Sequence, residues 1–174
     1  MPADNHCGHC QQCIDACPTR AIIAPYQLDA RLCISYLTIE LRGTIPEQLR
    51  PLIGNRVYGC DDCQLVCPWN RFAGPSAEND FTPRHGLDSR ELVQLFAWGE
   101  TEFIEKTRGS AIHRIGYPCW LRNIAVGLGN APTTDAVVAA LRARQDHPSW
   151  LVREHVTWAL QQHTNRASPL LQGE

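Results

Sequence analysis

The sequence predicts an α+β chain in two parts: a small cysteine-bound domain over residues 1–75, then an all-α domain over residues 76–174. Three observations predict it. Eight of the nine cysteines fall between Cys7 and Cys67. A Gly/Pro/Ser/Asn-rich passage, residues 70–86, follows them and reads as a linker or long surface loop. Beyond that passage the apolar residues adopt helical spacing. With 44% apolar and 20% charged residues the chain can build a core. Its formal net charge of −2 gives no global electrostatic case for nucleic acid.

The first part rests on Cys7, Cys10, Cys13 and Cys17-Pro18, a C-x₂-C-x₂-C-x₃-C-P run of the bacterial ferredoxin type. Three thiolates two residues apart wrap a loop around three irons of one cube. The fourth, three residues further on, points toward a second cube, and the proline after it removes an N–H and turns the chain. Four cysteines at this spacing overfill a tetrahedral zinc site. The reading is therefore a bacterial-ferredoxin-like domain with two [4Fe–4S] clusters. The second run, Cys60, Cys63 and Cys67-Pro68, is one ligand short, and Cys33 is the free candidate between the runs. Crossing the runs assigns Cys7, Cys10, Cys13 and Cys67 to one cube and Cys17, Cys33, Cys60 and Cys63 to the other. Cys33 as a buried free thiol is the competing reading. Cys119, beside Trp120 in an apolar stretch, reads as a small buried hydrophobe.

No basic segment followed by an apolar stretch opens the chain, and the longest apolar run, AVVAAL (136–141), is far too short for a bilayer. A soluble cytoplasmic monomer with no membrane contact is expected, and in that compartment cysteines serve as ligands sooner than as disulfides. No Ser-His-Asp set, phosphate-binding Gly-rich loop or H-E-x-x-H is present in the sequence. Two clusters alone pass single electrons, so the group that performs a reaction must come from elsewhere.

Between the runs, residues 33–63 begin with Ser35, Tyr36, Thr38, Glu40 and Arg42 among apolar neighbours, a pattern for an amphipathic helix capping the cluster domain. In the second part, Ser89 is placed to cap a helix through ELVQLFAW, and TEFIEK (101–106) reads as a second short helix. Three longer helices are expected at 118–130, 133–145 and 149–162. The first and third resemble one another at a spacing of 31 residues between Arg122 and Arg153, which suggests a HEAT-like repeat pair; a plain helical hairpin fits as well. His147, His155 and His163 read as surface or core residues.

Fifteen of the sixteen basic residues are arginine, and Lys106 is the single lysine. A phosphate-reading surface and an arginine-rich genome both produce that bias. Residues 106–134 contain no Asp or Glu and hold Lys106, Arg108, Arg114 and Arg122, with His113 among them. Salt-dependent phosphate contact and a solvated face are the two readings of this segment.

CISYLTIELRGTIP (33–46) followed by GCDDCQLVCPWNRF (59–72), with GSAIHRIGYPCWLRNIAVGLGN (109–130) beyond, resembles epoxyqueuosine reductase. The resemblance runs from Cys7 to about Gln162. It implies clusters that feed electrons from a low-potential donor to a cobalamin, which reduces epoxyqueuosine to queuosine in the tRNA anticodon loop. It implies the same crossed ligand scheme, and a corrinoid facing Ser35, Tyr36 and Asp61. It favours tRNA contact by Lys106, Arg108, Arg114 and Arg122, joined by Arg42 and Arg71. In that family a domain before the first cysteine run binds most of the cobalamin and supplies the catalytic acid. Only six residues precede Cys7 here, so no catalytic acid is named and the expectation is a fragment or a stand-alone remnant of such a reductase. A free-standing two-cluster electron carrier with a helical protein-docking domain is the alternative.

Overall fold

A computed structural model describes residues 6–167. It is mostly helical with one small sheet. In chain order the elements are α1 (Gln12–Ala16), β1 (Ile22–Ala24), β2 (Gln27–Leu28), α2 (Ile34–Ile39), α3 (Arg50–Ile53), α4 (Asp62–Leu65), α5 (Leu92–Phe96), α6 (Glu100–Thr107), α7 (Tyr117–Asn130), α8 (Asp135–Arg142) and α9 (Trp150–Ala167), with single 3₁₀ turns between several of them. The strands form an antiparallel hairpin with Ile22 opposite Leu28. Pro25 opens its two-residue turn and Tyr26 takes a left-handed φ of 62° at the position where such turns usually place glycine.

Helix α7 organises the molecule. Pro118 sits in its first turn, where a missing N–H costs nothing. Twelve of its fourteen residues are buried, so it is the central helix rather than an amphipathic one. Its partner α9 approaches closely because residue 129 is glycine: a Cβ there would stand 2.5 Å from Trp158 Cζ3 and 3.0 Å from Ala159 Cα. Trp98, Phe103, Tyr117 and Trp120 pack as aromatic neighbours beside them.

The long helices lie where the spacing predicts them, and two local expectations are corrected. Ser89 does not cap α5; its N–H bonds back to Gly86 O, and Glu91 precedes the helix with no side-chain cap. The amphipathic helix after Cys33 is broken into α2 and α3, because Gly43 and Pro46 interrupt it. Between those pieces Ile45 is fully buried.

One hydrophobic core spans both halves of the chain. Ile34, Leu37, Ile45, Leu49 and Ile53 belong to the same buried cluster as Phe96, Phe103, Leu121, Ile124, Val152 and Val156. Apart from Cys60, which packs against its edge, the segments that carry the cysteine runs stand outside it. Among the described residues before Cys33 only Thr19 and Ala21 are buried, and from Cys60 to Arg90 none is. Such coreless segments need another source of order.

Candidate metal centre and its surroundings

The first run begins with a tight turn in which Cys10 N–H donates to Cys7 O at 2.9 Å, with Gly8 at φ 53°. Helix α1, which carries Cys13, lies against α4, which carries Cys63. This packing closes the two runs on each other. A cavity of about 410 Å³ between them is lined by Cys7, Cys13, Cys17, Cys33, Cys60 and Cys63. Cys10 and Cys67 do not line that cavity. All eight of these cysteines are half-buried and none forms a disulfide among the described residues, whereas Cys119 is buried in the core as the sequence suggests.

Cys33 lines that cavity beside cysteines of both runs, and the fold brings it there by a specific route. Asp29 caps a single 3₁₀ turn over Ala30–Leu32, its carboxylate accepting from Arg31 N–H at 3.0 Å. Cys33 then ends that turn and starts α2. Thr38, buried near the end of α2, donates to Ile34 O at 2.8 Å and accepts the N–H of Gly59 at 2.9 Å. Gly59 is the residue before Cys60, so one hydroxyl ties the helix that begins at Cys33 to the start of the second run.

From the other side, α7 clamps the same segment. Asn123 donates to Thr38 O and to Val57 O, both at 2.8 Å. Arg122 donates to Leu37 O at 2.9 Å and to Leu41 O and Gly43 O at 2.7 Å. Asn123 Oδ1 accepts from Arg122 as well. Arg122 is fully buried, which corrects its assignment to an RNA surface. Its guanidinium spends its donors on backbone carbonyls and cannot meet a phosphate. An Arg-Asn pair inside an otherwise apolar helix is the signal that marks it, since buried polar groups persist only when fully paired.

The thiols of the cavity differ in their electrostatics. Burial raises the pKa of the Cys17 thiol, but hydrogen bonds from the Thr19 side chain and from the N–H groups of Ala21, Thr19 and Ile22 outweigh it, and the net shift is downward. The Ala21 N–H stands 3.2 Å from the Cys17 sulfur. Cys60 is pushed up chiefly by burial. Cys63 is pushed up by burial and by its neighbours Cys60, Cys33 and Cys13. Those neighbours belong to both runs and to the lone cysteine between them.

Among the described residues no three such side chains stand close enough to hold a single metal ion. In a cube each thiolate binds a different iron, so its ligands do not gather on one ion. Soft thiolates are the donors iron–sulfur clusters take, and metal ligation supplies order to segments without a core. The residues present fit two [4Fe–4S] clusters.

Ser35 is half-buried in the first turn of α2, Tyr36 is 38% exposed, and Asp61 is exposed at the start of α4. None of the three lines the cysteine cavity. Of the basic residues, Arg42 is exposed yet donates to Ile115 O at 2.8 Å, and Arg114 is ion-paired with Glu40. Lys106 pairs with Glu102 at 2.5 Å and lies over the Trp98 ring. Arg71 is exposed over Phe72, and Arg108 is exposed with no carboxylate bound to it among the described residues. His155 and His163 are core residues and His147 is half-buried.

Two cysteine runs that converge with a lone third cysteine are the layout of a double-cluster iron–sulfur domain. Residues 6–70 match the family described as a 4Fe-4S double cluster binding domain. The larger protein that the whole chain resembles, in sequence and in fold alike, is epoxyqueuosine reductase. The enzyme of that name from Pseudomonas aeruginosa is 65% identical over 158 residues, covering 91% of this chain and 44% of the relative. That from Escherichia coli is 57% identical over 167 residues, covering 95% and 44%. A solved epoxyqueuosine reductase with an epoxyqueuosine-modified tRNA-Tyr stem loop superposes with a TM-score of 0.85 at 33% identity, over 96% of this chain and 44% of that one. The Bacillus subtilis enzyme gives 0.82 at 33% identity, over 94% and 44%. The chain thus spans less than half the length of the relatives it matches. Among the described residues no helix is long and apolar enough to cross a membrane.

Proposed function

We propose that this chain is the electron-delivering and RNA-contacting portion of an epoxyqueuosine reductase. The observation that carries the proposal is the convergence of Cys33 with both cysteine runs at one cavity, in a chain 65% identical to such a reductase. Cys7, Cys10, Cys13 and Cys67 would hold one cluster, and Cys17, Cys33, Cys60 and Cys63 the other, in a ferredoxin-like arrangement. Bound there, the clusters would pass electrons one at a time from a low-potential donor to a cobalamin, the group whose chemistry removes the epoxide oxygen from epoxyqueuosine in tRNA.

The chain's own residues do the holding and the aiming. Thr38, Arg122 and Asn123 fix Cys33 relative to Cys60, and the N–H groups after Cys17 support its thiolate. Ser35, Tyr36 and Asp61 flank those ligands and would face the corrinoid. Arg42, Arg71, Arg108 and Arg114, with Lys106 beside them, would meet the backbone of the anticodon stem loop, and α7 with α9 would form a HEAT-like pair behind them. The boundary near residue 75 then separates tasks rather than cores, in a chain that works as a cytoplasmic monomer. No residue described here is assigned the role of catalytic acid.

The test is iron content and tRNA affinity together. A chain reconstituted anaerobically should hold about eight irons and bind tRNA with an affinity that falls steeply with salt. It should reduce epoxyqueuosine only when the remainder of a reductase and cobalamin are added. Eight irons without tRNA binding would move the reading to a free-standing electron carrier.

A further inference from the structure

The eight ligand cysteines are not equally supported. Cys17 has a hydroxyl placed on its sulfur: Thr19 Oγ1 lies 3.6 Å from Cys17 Sγ, within reach for an acceptor as large as sulfur. Thr19 is 5% exposed, although its neighbour Arg20 is exposed. A buried hydroxyl is retained when it has a partner, and here that partner is the sulfur. A cluster ligand is a thiolate with no proton to give, so in the loaded protein the hydroxyl must be the donor.

The backbone around it supports the same geometry. Pro18 turns the chain, Arg20 takes a left-handed φ of 55°, and the Ala21 N–H is thereby aimed at the same sulfur at 3.2 Å. A non-glycine residue at positive φ is strained, and its N–H neighbours form an anion-supporting concavity. The loop after Cys17 is therefore shaped as a donor cradle for one sulfur. Cys60 and Cys63 have no hydroxyl on their sulfurs in the described contacts, and Cys60 instead has the Asp62 carboxylate as a neighbour.

We propose that Thr19 is a positioning residue that sets the reduction potential of one cluster, the one Cys17 ligates, by donating its hydroxyl proton to that thiolate. This rests on the two-cluster reading given above. Hydrogen bonds to cluster sulfurs stabilise the extra negative charge of the reduced state and so raise the potential. The Thr19 donor then favours the reduced state of the Cys17 cluster, the one that also takes Cys33, Cys60 and Cys63, and makes it a preferred resting place for the electron.

The experiment is a dithionite titration of the reconstituted chain, followed by electron paramagnetic resonance, for the wild type, T19V and T19S. The one-electron equilibrium of one cluster should shift about threefold toward the oxidised form in T19V, about 28 mV lower at 59 mV per decade. The second cluster should stay where it was, and T19S should restore the wild-type value. Iron analysis separates the two readings. If the wild type does not hold two four-iron clusters, the two-cluster reading fails. If it does and T19V leaves both potentials unmoved, or moves both equally, the Thr19 inference fails. Should T19V not load, T19A removes the same hydroxyl with less bulk and carries the same test. Failure of both while T19S loads would make the hydroxyl an assembly requirement and would overturn its role in setting the potential.

Discussion

The side-chain amide of Asn123 in α7 stands 2.8 Å from the carbonyl oxygen of Thr38 in α2, and the same nitrogen stands 2.8 Å from Val57 O. Thr38 in turn bonds the residue before Cys60. The helical half of the chain therefore positions two cysteines that lie far from it in sequence. Replacing Asn123 with Ala leaves two carbonyls and part of the Arg122 guanidinium unpaired in a closed interior. Each lost partner costs roughly 1–3 kcal/mol, so N123A, which strands three groups, should destabilise by at least about 3 kcal/mol in a urea melt. Iron loss to a chelator should be faster in this variant even where it is folded.

The assignment of Cys33 as the eighth ligand makes a sharper test. C33A should lower bound iron from about eight to about four per chain, by losing one cluster of a crossed pair. C119A removes a thiol that is 6% exposed and packed in the core. It should keep all its iron and lose about 1 kcal/mol of packing. Equal iron loss in the two variants would refute the assignment.

What the sequence made legible follows from how local each signal is. The first cysteine run and the long helices α7 and α9 are written in short-range spacing, and they lie where that spacing puts them. Counting ligands pointed to Cys33, and the fold sets it beside both runs at the cavity. The Arg122-Asn123 pair was not, because its partners Leu37, Thr38 and Val57 lie more than 60 residues away. A charge read as surface was a buried clamp, and only the pairing of α7 with α2 distinguishes the two. The break of the helix after Cys33 was legible in principle from Gly43 and Pro46, but the polar residues before them drew the reading toward one continuous amphipathic face.

Close packing of α7 on α9 fixes that clamp in place. In a solvent-exposed helix interior, Gly→Ala gains about 1 kcal/mol. At residue 129 the added Cβ would meet the Trp158 ring at 2.5 Å and Ala159 Cα at 3.0 Å, and the latter is backbone that cannot swing away. Overpacking costs of about 1–3 kcal/mol outweigh the propensity gain. G129A should therefore lower the urea midpoint, and a raised midpoint would mean that the two helices separate easily.

Acid should weaken the fold through His155. The ring is fully buried, with Nε2 accepting Ile45 N–H at 3.2 Å and Nδ1 beside Leu151 O at 2.8 Å, an arrangement for neutral imidazole. Burial, with Arg50 and Arg122 nearby, overcomes Glu154 and lowers its pKa to about 4. A folded-state pKa below the unfolded value of about 6.5 means that the unfolded chain binds the extra proton. Stability is then complete above pH 6.5 and is lost as pH falls toward 4, by up to about 3 kcal/mol from this group. Glu154, held low by Arg50 against its own burial, acts in the same direction. In urea melts between pH 7 and pH 4.5, H155Q should flatten part of that dependence, and an unchanged slope would assign it elsewhere.

The proposed RNA contact is separable from these structural roles because the basic residues differ in what already occupies them. Lys106 and Arg114 are ion-paired and Arg122 is buried, whereas Arg108 is exposed with no carboxylate bound to it among the described residues. A guanidinium that meets a phosphate displaces about one counterion. R108A should weaken tRNA binding similarly for modified and unmodified stem loops and reduce the slope of log K against log salt by about 1. Its urea midpoint should match the wild type. R122A should behave in the opposite way, losing roughly 3–5 kcal/mol of stability because buried carbonyls lose a charged partner. At a temperature where it is still folded, its salt slope should be unchanged. Arg108 lies in the turn after α6 and Arg122 inside α7, so the pair distinguishes an RNA-contacting edge from the helix that supports it. If R108A left both affinity and slope intact, the RNA surface would have to be sought at Arg42 and Arg71, on the cluster side of the chain.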